Sequence, residues 1–109
     1  MAEPTLQQIF GANATQTADV LTIKKADLAT VGLTANAANT SESLLVAIFL
    51  LAKSYLTDAN LTSNPDQSIS IVDSFDSLVA RNNNQYRQKT YSINLQKIDN
   101  TSAIDPDDY

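Results

Sequence analysis

The segment Glu42–Leu56 constrains the fold more than any other part of the chain. A helical stripe runs along one side of it, formed by Leu44, Leu45, Ile48, Leu51, Ala52 and Tyr55. Its opposite side is also apolar, through Val46, Phe49 and Leu50. Burial of each such side chain is worth about 1.5–3 kcal/mol. We therefore expect a central apolar helix with one side on the chain's own sheet. The side with Phe49 would contact more of the same chain or another subunit.

Two residues are candidate N-caps for this helix. Asn39 precedes Glu42 by three residues, the spacing of a capping box in which each side chain bonds a free backbone N–H. Ser41 is the alternative cap. Turn-forming residues downstream are expected to end the helix, namely Asp58, Asn60, Asn64 and Pro65.

Alternation of apolar and polar residues predicts strands at Ala18–Ile23, Gln67–Val72 and Gln85–Lys97. The last of these is the longest, and its Lys and Arg residues suit an edge strand. Ser74–Arg81 has apolar residues at helical spacing, which predicts a short helix or a tight turn, and the loop Asn82–Asn84 follows. The sequence thus predicts an α+β fold, with the apolar helix packed on a small, mostly antiparallel sheet.

Both ends of the chain are polar. Thr5–Phe10 is a short amphipathic piece that fits either one helical turn or a docking arm. Asp99–Tyr109 contains four Asp residues and a proline, and it cannot pack by itself. We therefore predict an extended N-terminal arm (1–17), a single α+β domain (18–98) and an extended acidic C-terminal tail (99–109).

The composition excludes several kinds of functional site. The chain has no Cys and no His, so zinc, haem and iron–sulfur ligands and thiol nucleophiles are missing. Its two glycines cannot build a phosphate-binding loop. The net charge of −5 disfavours nucleic acid, and the longest apolar run, Leu44–Ala52, is too short to span a membrane. We expect no catalytic residue, no cofactor and no metal, and hence no enzyme.

Neutral polar side chains dominate the rest of the sequence. Ser, Thr, Asn and Gln supply 38 of the 109 residues. Charged residues supply 17%, against about 25% in ordinary domains. Neutral groups cost less to desolvate than ions, so such a surface suits repeated contacts between identical or related subunits. A drift in composition without functional consequence is the alternative interpretation.

Charge separates along the last third of the chain, because Arg81–Lys97 is purely basic and the tail is purely acidic. The tail offers a candidate docking peptide through Ile104, Asp105, Asp107, Asp108 and Tyr109. Its acidic spacing does not match a calcium loop. The candidate contact residues on this strand and just before it, which could receive the tail of another copy, are Arg81, Tyr86, Arg87 and Lys89. Stacking on single-stranded bases is a further alternative, but strand alternation explains the same residues more simply.

Three stretches resemble a group of small uncharacterised proteins from cyanobacteria and their phages. They are Leu6–Gly11 (LQQIFG), Leu78–Gln88 (LVARNNNQYRQ) and Ile104–Tyr109 (IDPDDY). The likeness extends along most of the chain and brings no catalytic or ligand motif with it. For a small phage-encoded protein, the resemblance implies a virion part in the tail, in the neck or baseplate, or in head decoration.

These observations favour a structural assembly protein that acts in multiple copies as a homo-oligomer. Its expected partners are other copies of itself and neighbouring virion proteins, without nucleic acid or membrane. The alternative is a small cytoplasmic adaptor or regulatory module of a cyanobacterium that binds a protein partner through the acidic tail. A metal- or sugar-binding module is a third alternative. The lack of Cys fits the cytoplasm and fits a virion without disulfides equally well.

Overall fold

A computed structural model describes residues 2–97 and 104–109. In chain order the elements are α1 (Leu6–Phe10), β1 (Thr15–Gln16), β2 (Leu21–Thr22), the 3-10 helix η1 (Lys25–Val31), α2 (Ser41–Tyr55), α3 (Asp58–Ser63), β3 (Ile69–Arg81), β4 (Asn84–Leu95) and the 3-10 turn η2 (Pro106–Asp108). β1 pairs with β2 and β3 with β4, in two separate antiparallel sheets. The α+β class is confirmed, with two small sheets where one was expected.

The N-terminal segment is folded onto the domain. α1 begins with a capping box, in which the Thr5 hydroxyl accepts from the Gln8 N–H and the Gln8 side chain accepts from the Thr5 N–H. It ends at Gly11, whose φ of 114° is one that glycine tolerates best. A Cβ at Gly11 would lie 2.7 Å from the Asp27 Cβ, so the backbone passes very close to η1. Since α1 also packs against α2, residues 6–10 form a helical turn of the domain and not an extended arm.

Thr40 is the N-cap of α2, and its hydroxyl accepts a 3.1 Å hydrogen bond from the Ser43 N–H. The predicted caps, Asn39 and Ser41, are therefore wrong. Ser41 is the first residue of the helix itself. The Asn39 side chain bonds the preceding loop, at the Asn36 N–H and the Thr34 carbonyl. Three consecutive residues have cap-forming side chains, and the loop geometry selects the middle one.

α2 is only partly enclosed by the chain. α1, η1 and β3 contact it, and Ala47 is its buried residue. On the other flank, Leu45 and Val46 are 67% and 55% exposed. The predicted central position of this helix, with one side packed on the sheet, is therefore not confirmed, because the sheet reaches α2 only at the base of the β3–β4 hairpin.

The segment Ser74–Arg81 belongs to β3, so the predicted short helix or turn is wrong. β3 connects to β4 through Asn82 and Asn83, whose φ values of 52° and 64° fit a two-residue hairpin turn. Thirteen residues at about 3.3 Å each span roughly 40 Å, and the longest dimension of the molecule is 47 Å. The hairpin therefore extends over most of the length of the protein.

Apolar residues on both faces of the hairpin account for the misleading pattern in β3, which also contains a β-bulge. The register shifts between Asp73 and Asp76, so that Ser74 and Phe75 together stand opposite Thr90. Past the bulge, Phe75 and Val79 fall on one face of the hairpin and Leu78 on the other. Their spacing of three and four residues therefore resembles one face of a helix.

The remaining boundaries differ from the sequence prediction in smaller ways. The strand predicted at Ala18–Ile23 is reduced to β2, and Asp58–Ser63 forms a second helix, capped by Thr57, before the chain turns. β4 confirms the longest predicted strand within two residues at its end. Of the predicted tail, residues 99–103 lie outside the described residues. Within residues 2–97 and 104–109, none of the helices combines the length and apolar character needed to cross a bilayer.

Replacement of the N-cap tests the start of α2. Thr40→Ala should lower the free energy of unfolding by about 1 kcal/mol, because one N-terminal amide of the helix loses its partner. Ser41→Ala, one residue on, is the matched control and should change stability far less. The measurement is the urea midpoint at constant slope. A larger loss with Ser41→Ala than with Thr40→Ala would contradict the assignment.

Candidate interaction surface

The base of the β3–β4 hairpin is anchored to α2 through Tyr91. The Tyr91 ring meets the ring of Phe49 edge-on, with centroids 5.0 Å apart and planes inclined at 67°. The Lys53 ammonium lies 5.7 Å from the centre of the same ring and 3.2 Å from an Asp73 carboxylate oxygen. Phe49, predicted to face another subunit or other parts of the chain, thus contacts the hairpin of its own chain.

Hydrogen bonds fix the same end of the hairpin. The Ile71 N–H donates to the Leu56 carbonyl at 2.7 Å. The buried Gln67 side chain donates to the carbonyls of Thr57 and Ile69. The buried Ser70 hydroxyl accepts from the Asn94 side chain on the paired strand. These contacts hold the first residues of β3 rigidly against the helices.

Alternation along the strands gives the hairpin two faces. We call the face that includes the Asp73–Tyr91 pair the helix face, because α2 contacts it. The Asp76–Lys89 and Leu78–Arg87 pairs lie on the helix face as well. The opposite face, which we call the far face, carries the Val79–Tyr86 pair and, beside the bulge, Phe75.

Charged side chains occupy the helix face beyond the base. The Asp76 carboxylate lies 3.4 Å from the Lys89 ammonium and 3.9 Å from the Arg87 guanidinium. All three side chains are well exposed, and such pairs contribute about 0–1 kcal/mol each. Two of the predicted contact residues, Arg87 and Lys89, therefore have a carboxylate within their own hairpin.

The far face is apolar near the tip. Phe75, Val79 and Tyr86 are 72%, 37% and 38% exposed. The Arg81 guanidinium lies 4.5 Å from the centre of the Tyr86 ring, a cation–π contact. Arg81 and Tyr86 are candidate contact residues from the sequence, and the structure adds Phe75 and Val79 as exposed apolar candidates on the same face. The signal that could have found them is the Asn-Asn pair flanked by two runs of similar length, which is typical of a hairpin.

Beyond the base, the hairpin is uncovered. Every residue from Leu78 to Lys89 is exposed. The Ile71–Leu56 bond closes the outer edge of β3 at its start. Toward the tip, the part of the chain that the structure describes makes no backbone hydrogen bond to either outer edge. Both faces and both edges of this half of the hairpin are therefore available for contact.

The acidic tail lies against Lys97 of its own chain. The Lys97 ammonium donates to the Asp108 carbonyl at 2.6 Å, lies 3.8 Å from its carboxylate and sits 5.8 Å from the Tyr109 ring centre. Asp105 caps η2 by accepting from the Asp107 N–H. Among the described residues, Lys97 of the basic segment thus contacts the end of the tail within one chain. The tail's pairing with another copy stays a prediction.

Two open grooves lie beside these surfaces. One, of about 340 Å³, runs along the exposed flank of α2, with Val46 and Leu50 on one side and Val31 and Leu33 on the other. The second, of about 510 Å³, lies at the hairpin base, where Lys53 and Lys89 face Asp73 and Asp76. The two lysines pair with the two carboxylates, so the second groove carries little net charge for an ionic ligand.

Neither metal chemistry nor a relative gives a further lead. Among residues 2–97 and 104–109, no group of three or more acidic side chains is arranged to hold a metal ion. No protein-family model, no curated protein and no solved structure matches the chain. The proposed function therefore depends on the geometry of the hairpin and of the exposed flank of α2.

Substitution of two tyrosines on β4 tests where the hairpin is anchored. Tyr91→Ala should destabilise the protein by about 1–3 kcal/mol, because the contact with Phe49 is lost. Tyr86→Ala, on the same strand but beyond the base, should cost less than about 1 kcal/mol. Urea unfolding measures both, and hydrogen exchange should show lost protection at the base only in Tyr91→Ala. Equal losses for the two variants would contradict the anchor.

Proposed function

We propose that this chain is a structural assembly protein that acts in multiple copies, with the β3–β4 hairpin as its contact arm. The observation that carries the proposal is the bare outer half of the hairpin. A two-stranded hairpin alone is at best marginally stable in water, and a third strand or a packed helix is needed to hold it. α2 supplies that support only around Tyr91. Other copies would supply it toward the tip.

The amount of exposed surface supports the same proposal. The chain exposes 7949 Å², roughly 2,000 Å² more than the approximately 5,900 Å² expected for a folded monomer of its mass. Its radius of gyration is 16.3 Å, where a compact chain of this length has about 13 Å. A specific interface buries about 800 Å² on each partner. The excess is therefore large enough for contacts with neighbours.

The exposed flank of α2 is the second surface in the proposal. Val46 lines the groove whose other wall includes Val31 and Leu33, and the neighbouring Leu45 is exposed. A neighbouring copy that covers this flank would leave α2 buried on all sides, as the apolar residues around the helix predict. In the assembly, α2 would then be enclosed partly by its own chain and partly by a neighbour.

We place this assembly protein in a virion, as a part of the tail, the neck or baseplate, or the head decoration. The support for this setting is the resemblance to small proteins of cyanobacteria and their phages. Its partners would be other copies of itself and neighbouring virion proteins. We propose no catalytic activity and no cofactor. The neutral polar surface fits this role, because many copies can pack closely without burying unpaired charges.

Three pairs of consecutive Leu and Val residues, in different parts of the chain, provide a matched test. Leu78 and Val79 lie on the hairpin, Leu45 and Val46 on α2, and Val20 and Leu21 at β2, and all six are exposed. The wild-type chain should elute as a multimer in size exclusion with light scattering. Replacing both residues by Ser on the hairpin should lower the multimer mass or raise the concentration needed for assembly severalfold. Exposed positions cost little folding stability when changed, so urea unfolding measured at concentrations where the wild type is dissociated should be nearly unaffected.

Val20→Ser with Leu21→Ser is the control and should leave the mass unchanged. Leu45→Ser with Val46→Ser removes the second proposed surface and should also weaken assembly. If wild type is a strict monomer at every concentration tested, the multi-copy proposal is overturned and the adaptor alternative gains. If the hairpin variant and the Val20–Leu21 variant lower the multimer mass equally, the effect is a general loss of exposed hydrophobic surface, and the proposal is contradicted.

A further inference from the structure

The two strands of the hairpin have different charges along their free edges. β3 carries Asp73 and Asp76, and its cation, Arg81, lies at the tip over Tyr86. β4 carries Arg87 and Lys89 and no acidic residue. The middle of β3 is therefore acidic, and the middle of β4 is basic.

This difference determines which edges of two copies can pair. Joining β3 to β3 would bring carboxylates together, and joining β4 to β4 would bring cations together. Like charges directly opposite one another on neighbouring strands are destabilising, whereas opposite charges contribute roughly 0.2–1 kcal/mol per pair. Pairing β3 of one copy with β4 of another is the arrangement in which the edge charges are complementary.

We infer that β3 of one copy adds as a strand to β4 of the next copy, so that neighbouring hairpins form a continuous sheet. This inference rests on the proposed multi-copy function and names its contact. Because β3 and β4 are antiparallel within the hairpin, copies that point the same way extend the sheet with every strand antiparallel to its neighbours. Each copy uses two different edges. The association is thus head-to-tail, and it closes into a ring or continues as a filament.

The free edge is long enough for this pairing. The Ile71 N–H already donates to the Leu56 carbonyl, so the available edge of β3 begins after Ile71 and ends at Arg81. The segment of β4 that would pair with it runs from Asn84 to Tyr91, and its residues up to Lys89 are exposed.

The basic residues of β4 also explain how wrong pairing is limited. Lys and Arg on an edge strand discourage its pairing with an identical edge. They do not oppose an edge that carries Asp73 and Asp76. The same side chains thus disfavour a two-fold dimer and favour the head-to-tail arrangement.

Single cysteines can identify the paired edges, since the chain has none of its own. Ala80 on β3 and Gln85 on β4 are partners at the same level of the hairpin, and both are exposed. Full-length Ala80→Cys and Gln85→Cys proteins are mixed in equal amounts and treated with a short bis-maleimide. The cross-linked dimer that contains one Ala80→Cys chain and one Gln85→Cys chain should be severalfold more abundant than the two cross-linked homodimers combined. Ala12→Cys mixed with Ala18→Cys, both exposed and outside the hairpin, measures collisional cross-linking.

Each result is decisive for the edge pairing, and light scattering on the same samples keeps the multi-copy function separate. A dominant Gln85→Cys product would indicate a two-fold contact between β4 strands, and a dominant Ala80→Cys product a contact between β3 strands. Either would overturn the head-to-tail inference. Multimers that cross-link no better than the Ala12–Ala18 control would also overturn it and leave the multi-copy function standing. Monomers without cross-links would overturn both.

Discussion

The structure depends on one limited contact, the packing of α2 on the base of a long two-stranded sheet. Two strands cannot bury a face between them, so a hairpin needs cover from another element. The Phe49–Tyr91 ring contact and the Lys53–Asp73 ion pair provide it at one end. From there to the Asn82–Asn83 turn, no described element covers either face. The hairpin is therefore supported by α2 at its base and is unsupported toward its tip.

The small core follows from this arrangement. The buried apolar residues of the described chain lie in the loop after α1, in η1, in α2 and at its end, and at the start of β3, namely Ala14, Leu28, Ala47, Leu56 and Ile71. Two of the five are alanines, which contribute little burial energy. A chain with 43% apolar residues has more hydrophobic surface than this core can take up. Much of the remainder lies exposed on the hairpin and on the Leu45–Val46 flank of α2, and Val20 and Leu21 at β2 are exposed as well.

The sequence predicted the elements whose signals are local. The helical spacing of α2, the Asn-rich turn and the alternation of β4 all act within one element, and the structure has each of them. Features that depend on contacts between elements were missed. The strand at Ser74–Arg81 was missed because its apolar residues lie on both faces of the hairpin, an arrangement that depends on the pairing with β4. Thr40 was missed because the Asn36–Asn39 loop engages the neighbouring candidate. The candidate contact residues Arg81 and Tyr86 were proposed from their residue type, whereas Phe75 becomes a candidate only through the pairing.

Apolar burial and charge have separate roles in the proposed assembly. Exposed Leu, Val and Phe side chains would supply most of the affinity, while ions at the edges select direction. Asp76 already pairs with Lys89 and Arg87 in its own hairpin, yet this does not prevent a second contact. A carboxylate has about four acceptor positions, so it can keep its partners and accept a donor from the next strand. An alternating row of Asp and Lys or Arg across several copies would then be stronger than any isolated surface pair, because each added copy brings charges on both sides.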